Sequence, residues 1–150
     1  MEDLKEMMPK KFGFGCMRLP VVGGNNEEID DAAFCRMIDR YMEQGFVYFD
    51  TAYPYHNQKS EEAVRRCLVE RYDRERFLLA DKMPVWLGQN TEDYSEIFER
   101  QLARCGGTYF DSVSRHEQDT GGRDRENGRL CVCAENEDGR AHPPYRIFVP

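Results

Sequence analysis

Short apolar segments, each followed by a helix-like stretch, recur at intervals of about thirty residues through the first part of the chain. The segments contain aromatic and β-branched residues, and they begin at Phe46, Phe77 and Tyr109. A weaker strand, interrupted by glycines, is predicted over Phe12–Leu19. Parallel strands need such a crossover between them, and a helix is its usual form. The pattern therefore predicts an α/β chain built from successive βα units.

Three amphipathic stretches fill the intervals between these segments. Their apolar residues recur at three- and four-residue spacing over 34–42, 63–68 and 94–102. Ser60 and Thr91 stand where the N-caps of the second and third helices are expected. Gly45 and Gly106 stand where the first and third helices should stop. The predicted order is therefore strand, helix, strand, helix, strand, helix, strand.

The composition is that of an ordinary globular chain. Of its 150 residues, 40% are hydrophobic and 33% are charged, which suits one domain and argues against full disorder. No apolar run approaches the ~18 residues of a transmembrane helix, and residues 1–11 do not resemble a secretory signal. A net charge of -7 disfavours nucleic acid and anionic membranes as partners. The 6 scattered cysteines are then expected to be reduced thiols in the cytoplasm.

The sequence changes character near residue 112. Residues 112–150 contain six arginines but no lysine or methionine, and most of this stretch has no sustained hydrophobic period. We predict loop or disorder there, with short strand candidates at 130–134 and 145–149.

Three ionisable side chains fall at predicted strand ends, where functional groups of parallel βα proteins gather. Asp50 and Lys82 end two strands, and Tyr55 follows Asp50 in the loop before the second helix. A tyrosine with the ordinary pKa of about 10 donates a proton poorly near neutrality, and a nearby ammonium lowers that pKa. A carboxylate beside the lysine would hold it charged and oriented. Together the three predict a general-acid assembly that protonates an oxyanion formed from a carbonyl.

Each of these residues also has an ordinary structural interpretation. Asp50 could cap a turn, Tyr55 could pack within its loop, and Lys82 could be a plain strand-end charge. Their placement at one predicted rim favours a joint function. His56, beside Tyr55, is interpreted as a solvated loop histidine and not as a catalyst.

Five segments follow one another in an order and spacing that indicate a known family. They are Gly13–Pro20, Phe49–Tyr55, Ser60–Glu62, Ala80–Lys82 and Cys105–Asp111. The Asp-Thr-Ala-x-x-Tyr string that begins at Asp50, with Ser60 and Glu61 behind it, is fairly specific. Over Phe12 to Asp111 the chain resembles the aldo/keto reductases, and most closely the bacterial branch that carries an iron–sulfur cluster.

The resemblance implies a TIM barrel that reduces aldehydes or ketones with NADPH. Asp50 matches the family's aspartate, Tyr55 its proton-donating tyrosine and Lys82 its lysine. The family's fourth catalytic group is a histidine at the end of the fourth strand, and His116 stands at the matching offset from Asp111. Ser112 to Arg115, however, do not form the apolar strand expected before it.

The resemblance also implies cofactor contacts at Met17, Arg18 and Asp50. The iron–sulfur ligands of the related branch are not found in this sequence. The pair Cys131 and Cys133, even with His142, is too weak a pattern for a zinc site, so no metal is predicted.

The length implies an incomplete barrel. A (β/α)8 barrel takes about 250 residues, so residues 1–111 are expected to form the first four βα units. The family's principal nucleotide-binding loops follow the later strands, and weak or no activity is therefore expected from this chain alone. Open strand edges predict self-association.

Residues 112–150 are interpreted as a non-family tail, either disordered or frameshifted. The codons allowed for Glu135 to Pro150, shifted by one nucleotide, permit a segment like the Lys-Met-Lys … Ile-Gly-Phe-Ser segment that the family carries at that distance. A frameshift would explain the lost periodicity.

Three functions are therefore weighed. The first is a truncated aldo/keto reductase acting on a small carbonyl substrate. The second is a non-catalytic remnant of such an enzyme. The third, with least support, is a small thiol- or metal-binding module that uses the tail cysteines.

Overall fold

A computed structural model describes residues 7–116, which form a parallel sheet with helices between its strands. The strands are β1 (Gly13–Gly15), β2 (Tyr48–Asp50), β3 (Leu78–Pro84) and β4 (Ser112–His116). The helices are α1 (Asp31–Glu43), α2 (Ser60–Val64) and α3 (Thr91–Cys105). A π-helical turn over Arg65–Val69 extends α2. Short 3-10 turns lie at Cys16–Arg18, Arg74–Arg76 and Val85–Leu87.

The strand order in the sheet is β1-β2-β3-β4, and every neighbouring pair is parallel. A sheet that adds its strands in chain order, without reversing direction at a switch point, is typical of a βα barrel and not of a doubly wound sheet. The predicted α/β class and the first part of a (β/α)8 barrel are therefore confirmed.

The boundaries of β1, β3 and β4 differ from the predicted ones, and β2 begins at Tyr48, two residues after the predicted start at Phe46. The first strand is only Gly13–Gly15, because the chain then enters a 3-10 turn whose Cys16 carbonyl accepts a hydrogen bond from Ser60. The third strand continues past Lys82 to Pro84, because it pairs with β4 along its whole second half.

The fourth strand begins at Ser112, three residues later than expected, and runs to His116. The expectation that this stretch is not a strand is wrong. Its sequence alternates serine with other residues, so hydrophobic periodicity does not reveal it, whereas pairing with Ala80–Pro84 of β3 fixes it. The predicted break near residue 111 therefore moves beyond β4, and residues 117–150, with the rest of the predicted tail, lie outside the described residues.

The helix ends follow local chemistry. The side chain of Asn90, and not of Thr91, caps α3 by accepting a hydrogen bond from the backbone N–H of Asp93 at 2.9 Å. Gly106 ends α3 in the left-handed conformation, with φ of +68°, as predicted. Ser60 is the first residue of α2 and not its cap, because its hydroxyl is used elsewhere in the core.

The core between the sheet and α1 is aromatic. The ring centroid of Phe14 on β1 lies 5.8 Å from that of Phe34, 5.3 Å from that of Tyr41 and 5.6 Å from that of Phe49. On the other face of β1, Gly13 leaves room for the Tyr48 ring, because a Cβ there would lie 2.9 Å from a carbon of that ring. Within residues 7–116, no helix combines the length and hydropathy needed to cross a membrane.

Candidate active site

The side chains expected to carry the chemistry lie on one face of the sheet. Asp50 pairs with Ala80 in the strand register, and Lys82 is two residues further along β3, on the same face as Ala80. Lys82 pairs in turn with Ser114, two residues before His116. The period of two therefore points Asp50, Lys82 and His116 to the same side, near the carboxyl ends of three adjacent strands.

Lys82 joins the other predicted residues. Its ammonium forms an ion pair with Asp50 Oδ1, and it also donates to the Thr51 carbonyl at 3.3 Å. The same nitrogen lies 5.1 Å from the centroid of the Tyr55 ring. Burial lowers the pKa of Lys82, but the Asp50 carboxylate and the Tyr55 hydroxyl outweigh it, so the pKa is raised overall. Lys82 is therefore held as a cation between Asp50 and Tyr55.

His116 completes the group at the end of β4. Its ring lies 6.0 Å from the Tyr55 ring and 5.4 Å from the ring of Trp86, measured between centroids. Its Nδ1 is buried and has no hydrogen-bond partner among the described residues. Burial, together with the Lys82 cation, lowers the pKa of His116, so its imidazole is neutral at pH 7. The structure thus brings His116 to the other three residues.

The loop that carries Tyr55 is held in an unusual conformation. His56, Asn57 and Gln58 have φ values of 52°, 48° and 68°, in the left-handed region that favours glycine. The prediction that His56 is solvated is wrong, because only 4% of its surface is exposed. Its Nε2 accepts a hydrogen bond from Leu19 N–H at 2.9 Å, and its Nδ1 lies 2.9 Å from the Asn26 carbonyl.

This pattern requires a neutral imidazole with its proton on Nδ1, because Nε2 must accept and the Asn26 carbonyl can only accept. His56 thereby fastens the Tyr55 loop to the segment that follows β1.

A second fastening lies at the start of α2. The hydroxyls of Thr51 and Ser60 lie 2.9 Å apart, and Ser60 also donates to the Cys16 carbonyl at 3.2 Å. Both hydroxyl-bearing residues are fully buried. They tie the ends of β1 and β2 to α2, and so fix both ends of the loop that carries Tyr55.

Met17 and Arg18, the predicted cofactor contacts, lie in the 3-10 turn directly after β1. Both are exposed, and Gly15 just before this turn pairs with Asp50. Met17 and Arg18 therefore lie at the same end of the sheet as Asp50, after the neighbouring strand β1.

Sequence reasoning missed a buried polar group on the opposite face of β3. It consists of Glu61 on α2, Asp81 on β3 and Gln101 on α3, each with at most 1% of its surface exposed. One signal was available, since Asp81 is a charged residue that directly follows the apolar run Leu78–Ala80 within β3. The partners come from distant segments, so no local pattern joins them.

The described residues contain no group of three or more metal-ligating side chains. Cys16, Cys35, Cys67 and Cys105 are free thiols. The tail residues Cys131, Cys133 and His142, which carried the weak zinc pattern, lie outside residues 7–116.

The model of the aldo/keto reductase family matches residues 11–122. The chain belongs to the aldo/keto reductase family. Because the match continues past β4, the family region extends beyond the predicted limit at residue 111. No curated protein matches the chain significantly.

Solved structures agree with this assignment. The holo form of an aldo-keto reductase from Bacillus halodurans is 27% identical, with a TM-score of 0.55 over 71% of this chain and 35% of that one. The match to an aldo-keto reductase from Pseudomonas aeruginosa (22% identity, TM-score 0.58) covers 72% of this chain and 43% of that one. One from Klebsiella pneumoniae, solved with NADPH (20% identity, TM-score 0.51), is covered over 69% and 34%. The last two likenesses support the fold. The chain thus spans less than half the length of each of these reductases.

Proposed function

We propose that this chain carries the acid–base residues of an NADPH-dependent aldo/keto reductase that acts on a small aldehyde or ketone. The observation that supports this most is the position of Lys82, whose ammonium contacts the Asp50 carboxylate and faces the Tyr55 ring. A cation in this position favours the phenolate that Tyr55 becomes when it gives up its proton.

The roles of the residues follow from their chemistry. Tyr55 donates its phenolic proton to the carbonyl oxygen of the substrate as negative charge develops there. Lys82 stabilises the resulting phenolate, and Asp50 keeps Lys82 charged and oriented. His116, as a neutral imidazole, can donate a hydrogen bond to the same oxygen and help to place the carbonyl.

The residues near β1 and β2 fit one end of a nicotinamide cofactor. Arg18 is exposed and forms no ion pair among residues 7–116, and the Asp50 side chain is 30% exposed. An available guanidinium and a partly exposed carboxylate suit the amide and hydroxyl groups of a nicotinamide riboside, with Met17 beside them. When bound, NADPH supplies the hydride that reduces the carbonyl carbon. The reductase from Klebsiella pneumoniae was solved with NADPH, which supports this choice of cofactor.

We expect weak turnover from this chain alone, because the described residues offer contacts to only one end of the cofactor and near-attack positioning governs the rate. The alternative is a non-catalytic remnant of a reductase.

Self-association through the edges of β1 and β4, each of which pairs on one side within the described part, stays a prediction that the mass in solution tests. We also propose a cytoplasmic location, in keeping with the free thiols.

The deciding experiment measures NADPH oxidation with a panel of aldehydes and ketones at high protein concentration. The wild type is compared with Tyr55→Phe and with Tyr53→Phe, a matched control two residues away. We expect slow, carbonyl-dependent oxidation that falls at least about 10²-fold in Tyr55→Phe and persists in Tyr53→Phe. Equal rates in the two variants would contradict the role of Tyr55. No turnover by a folded wild type would favour the remnant.

A further inference from the structure

Directly behind Lys82, on the helix-covered face of β3, lies a buried acid that the proposed chemistry does not use. Asp81 is 1% exposed, and its Oδ1 accepts a hydrogen bond from the Lys82 backbone N–H at 2.7 Å. Because successive residues of a strand point to opposite faces, the Asp81 carboxyl points away from the Lys82 ammonium and toward α2 and α3. There it meets Glu61, which is fully buried.

The side-chain amide nitrogen of Gln101 contacts both carboxyl groups and the Lys82 backbone. Gln101 Nε2 lies 3.0 Å from Asp81 Oδ2, 3.1 Å from Glu61 Oε1 and 3.1 Å from the Lys82 carbonyl. An amide nitrogen has two hydrogens, so it cannot satisfy three acceptors fully. Because the Lys82 carbonyl takes one of the two hydrogens, a proton shared between the two carboxyl groups supplies the hydrogen that Gln101 cannot.

The charge balance points the same way. The titratable and charged groups near Asp81 or its partner Glu61 are Glu61 itself, Lys82, Arg104, Cys16 and Cys105. Of the two cations, Arg104 pairs with Glu61 Oε2, and Lys82 pairs with Asp50 on the other face. Burial raises the pKa of both thiols, so they stay neutral. Two buried carboxylates thus share one contacting guanidinium, and an uncompensated buried carboxylate is costly.

Asp81 is the better holder of the missing proton. Burial, followed by the nearby Glu61 charge, raises the pKa of Asp81 well above its ordinary value, although the Lys82 backbone N–H and ammonium oppose this shift. Burial also raises the pKa of Glu61, but Gln101 and Arg104 oppose that effect. Glu61 is therefore the ionised member, and Asp81 is the neutral one.

We propose that Asp81 and Glu61 share one proton at neutral pH, and that this acid pair, with Gln101, positions Lys82. Both backbone groups of Lys82 are held by it, the N–H by Asp81 and the carbonyl by Gln101. When Asp81 is neutral, it does not compete with the Asp50 carboxylate for the charge of the Lys82 ammonium. The shared proton is argued from contacts, burial and charge and does not depend on the proposed function, whereas the benefit to Lys82 rests on that function.

The proton is tested by urea unfolding of the wild type and of Asp81→Asn between about pH 4 and 8. This range begins near the ordinary Asp pKa of about 3.9 and extends above it. The folded state keeps a proton that the unfolded chain releases, so the wild type loses stability as pH rises. Asparagine keeps an N–H donor for Glu61 and an oxygen for the Lys82 N–H. We expect the wild-type unfolding constant to rise relative to that of Asp81→Asn by up to about tenfold per pH unit.

Asp39→Asn is the matched control, because its carboxylate is bound by Arg71 and Tyr72, which lower its pKa. That variant should instead lose stability relative to the wild type as pH rises from the acid side. If Asp81→Asn behaves like Asp39→Asn, Asp81 is ionised and the proposal is wrong.

A second measurement covers the case in which Asp81→Asn does not fold. Infrared spectra of the wild type with carbon-13-labelled aspartate should contain the C=O stretch of a protonated carboxylic acid near neutral pH. Absence of that band would overturn the shared proton.

The positioning role has its own readout. Asp81→Ala should lower kcat about tenfold or more with little change in KM, and Asp81→Asn should restore most of it. Failure of the rescue would contradict positioning. If the wild type has no turnover at all, the proposed function fails, while the pH and infrared results still decide the proton.

Discussion

The ammonium of Lys82 forms an ion pair with Asp50 and at the same time lies 5.1 Å from the ring centroid of Tyr55. Lys82 thereby links the end of β2 to the loop that follows it. Two fastenings hold this loop, one through His56 and one through Ser60. The arrangement is built from backbone and side-chain contacts within residues 7–116, so its parts can be tested separately.

The left-handed residues of the Tyr55 loop predict an unusual stabilising substitution. Gln58 is exposed and has a φ of 68°, a conformation that costs a residue with a Cβ about 1–2 kcal/mol. Gln58→Gly should therefore raise the free energy of unfolding by about 1 kcal/mol, after the entropy that glycine gains in the unfolded chain is subtracted. Gln44→Gly is the control, because Gln44 has a φ of -77° and should lose stability. Urea unfolding measures both, and stabilisation by both would contradict the strain.

The buried His56 predicts a difference between two substitutions. His56→Ala leaves the Leu19 N–H without its acceptor and should cost about 1–3 kcal/mol. His56→Gln should cost less, because its Oε1 can accept the same hydrogen bond. Chemical denaturation gives both values. Equal losses in the two variants would mean that packing, and not the hydrogen bond, accounts for the effect of His56.

The neutral His116 predicts a pH dependence. Burial and Lys82 lower its pKa in the folded state, so the folded protein takes up this proton at lower pH than the unfolded chain does. The stability that this group contributes is present above about pH 6.5 and is lost as pH falls through the folded pKa. His116→Gln should remove this part of the acid sensitivity. Unfolding curves at pH 5 and 7.5, which span that ordinary value of about 6.5, should lie closer together in the variant than in the wild type, and an unchanged gap would contradict the assignment.

Much of this architecture is predictable from the sequence, and the reasons are physical. The apolar segments that begin at Phe46 and Phe77 alternate with helix-like stretches, and this alternation predicts parallel βα units. It is visible because the hydrophobic period and the order of the segments can be seen in a single sequence. Asp50, Tyr55 and Lys82 were found because each stands at or near a strand end. The fourth strand is predicted to begin at Tyr109, three residues too early, because Ser112 and Ser114 on the inner face of β4 erase the apolar signal.

The acid pair was missed for a different reason. A charged residue in a sequence suggests exposure, yet Asp81 and Glu61 are buried. Their partner Gln101 comes from α3, and only the packing of α2 and α3 against β3 brings the three together. Burial of this kind depends on tertiary contacts that no local spacing encodes.

The central claim is that Lys82 acts through Tyr55, and a double-mutant cycle on carbonyl-dependent NADPH oxidation tests it most directly. Lys82→Met and Tyr55→Phe should each reduce the rate by about 10²–10⁴-fold. If Lys82 serves the proton transfer from Tyr55, the double variant should be no slower than Tyr55→Phe alone, within about threefold. Losses that multiply in the double variant would show that the two residues act independently and would contradict the account.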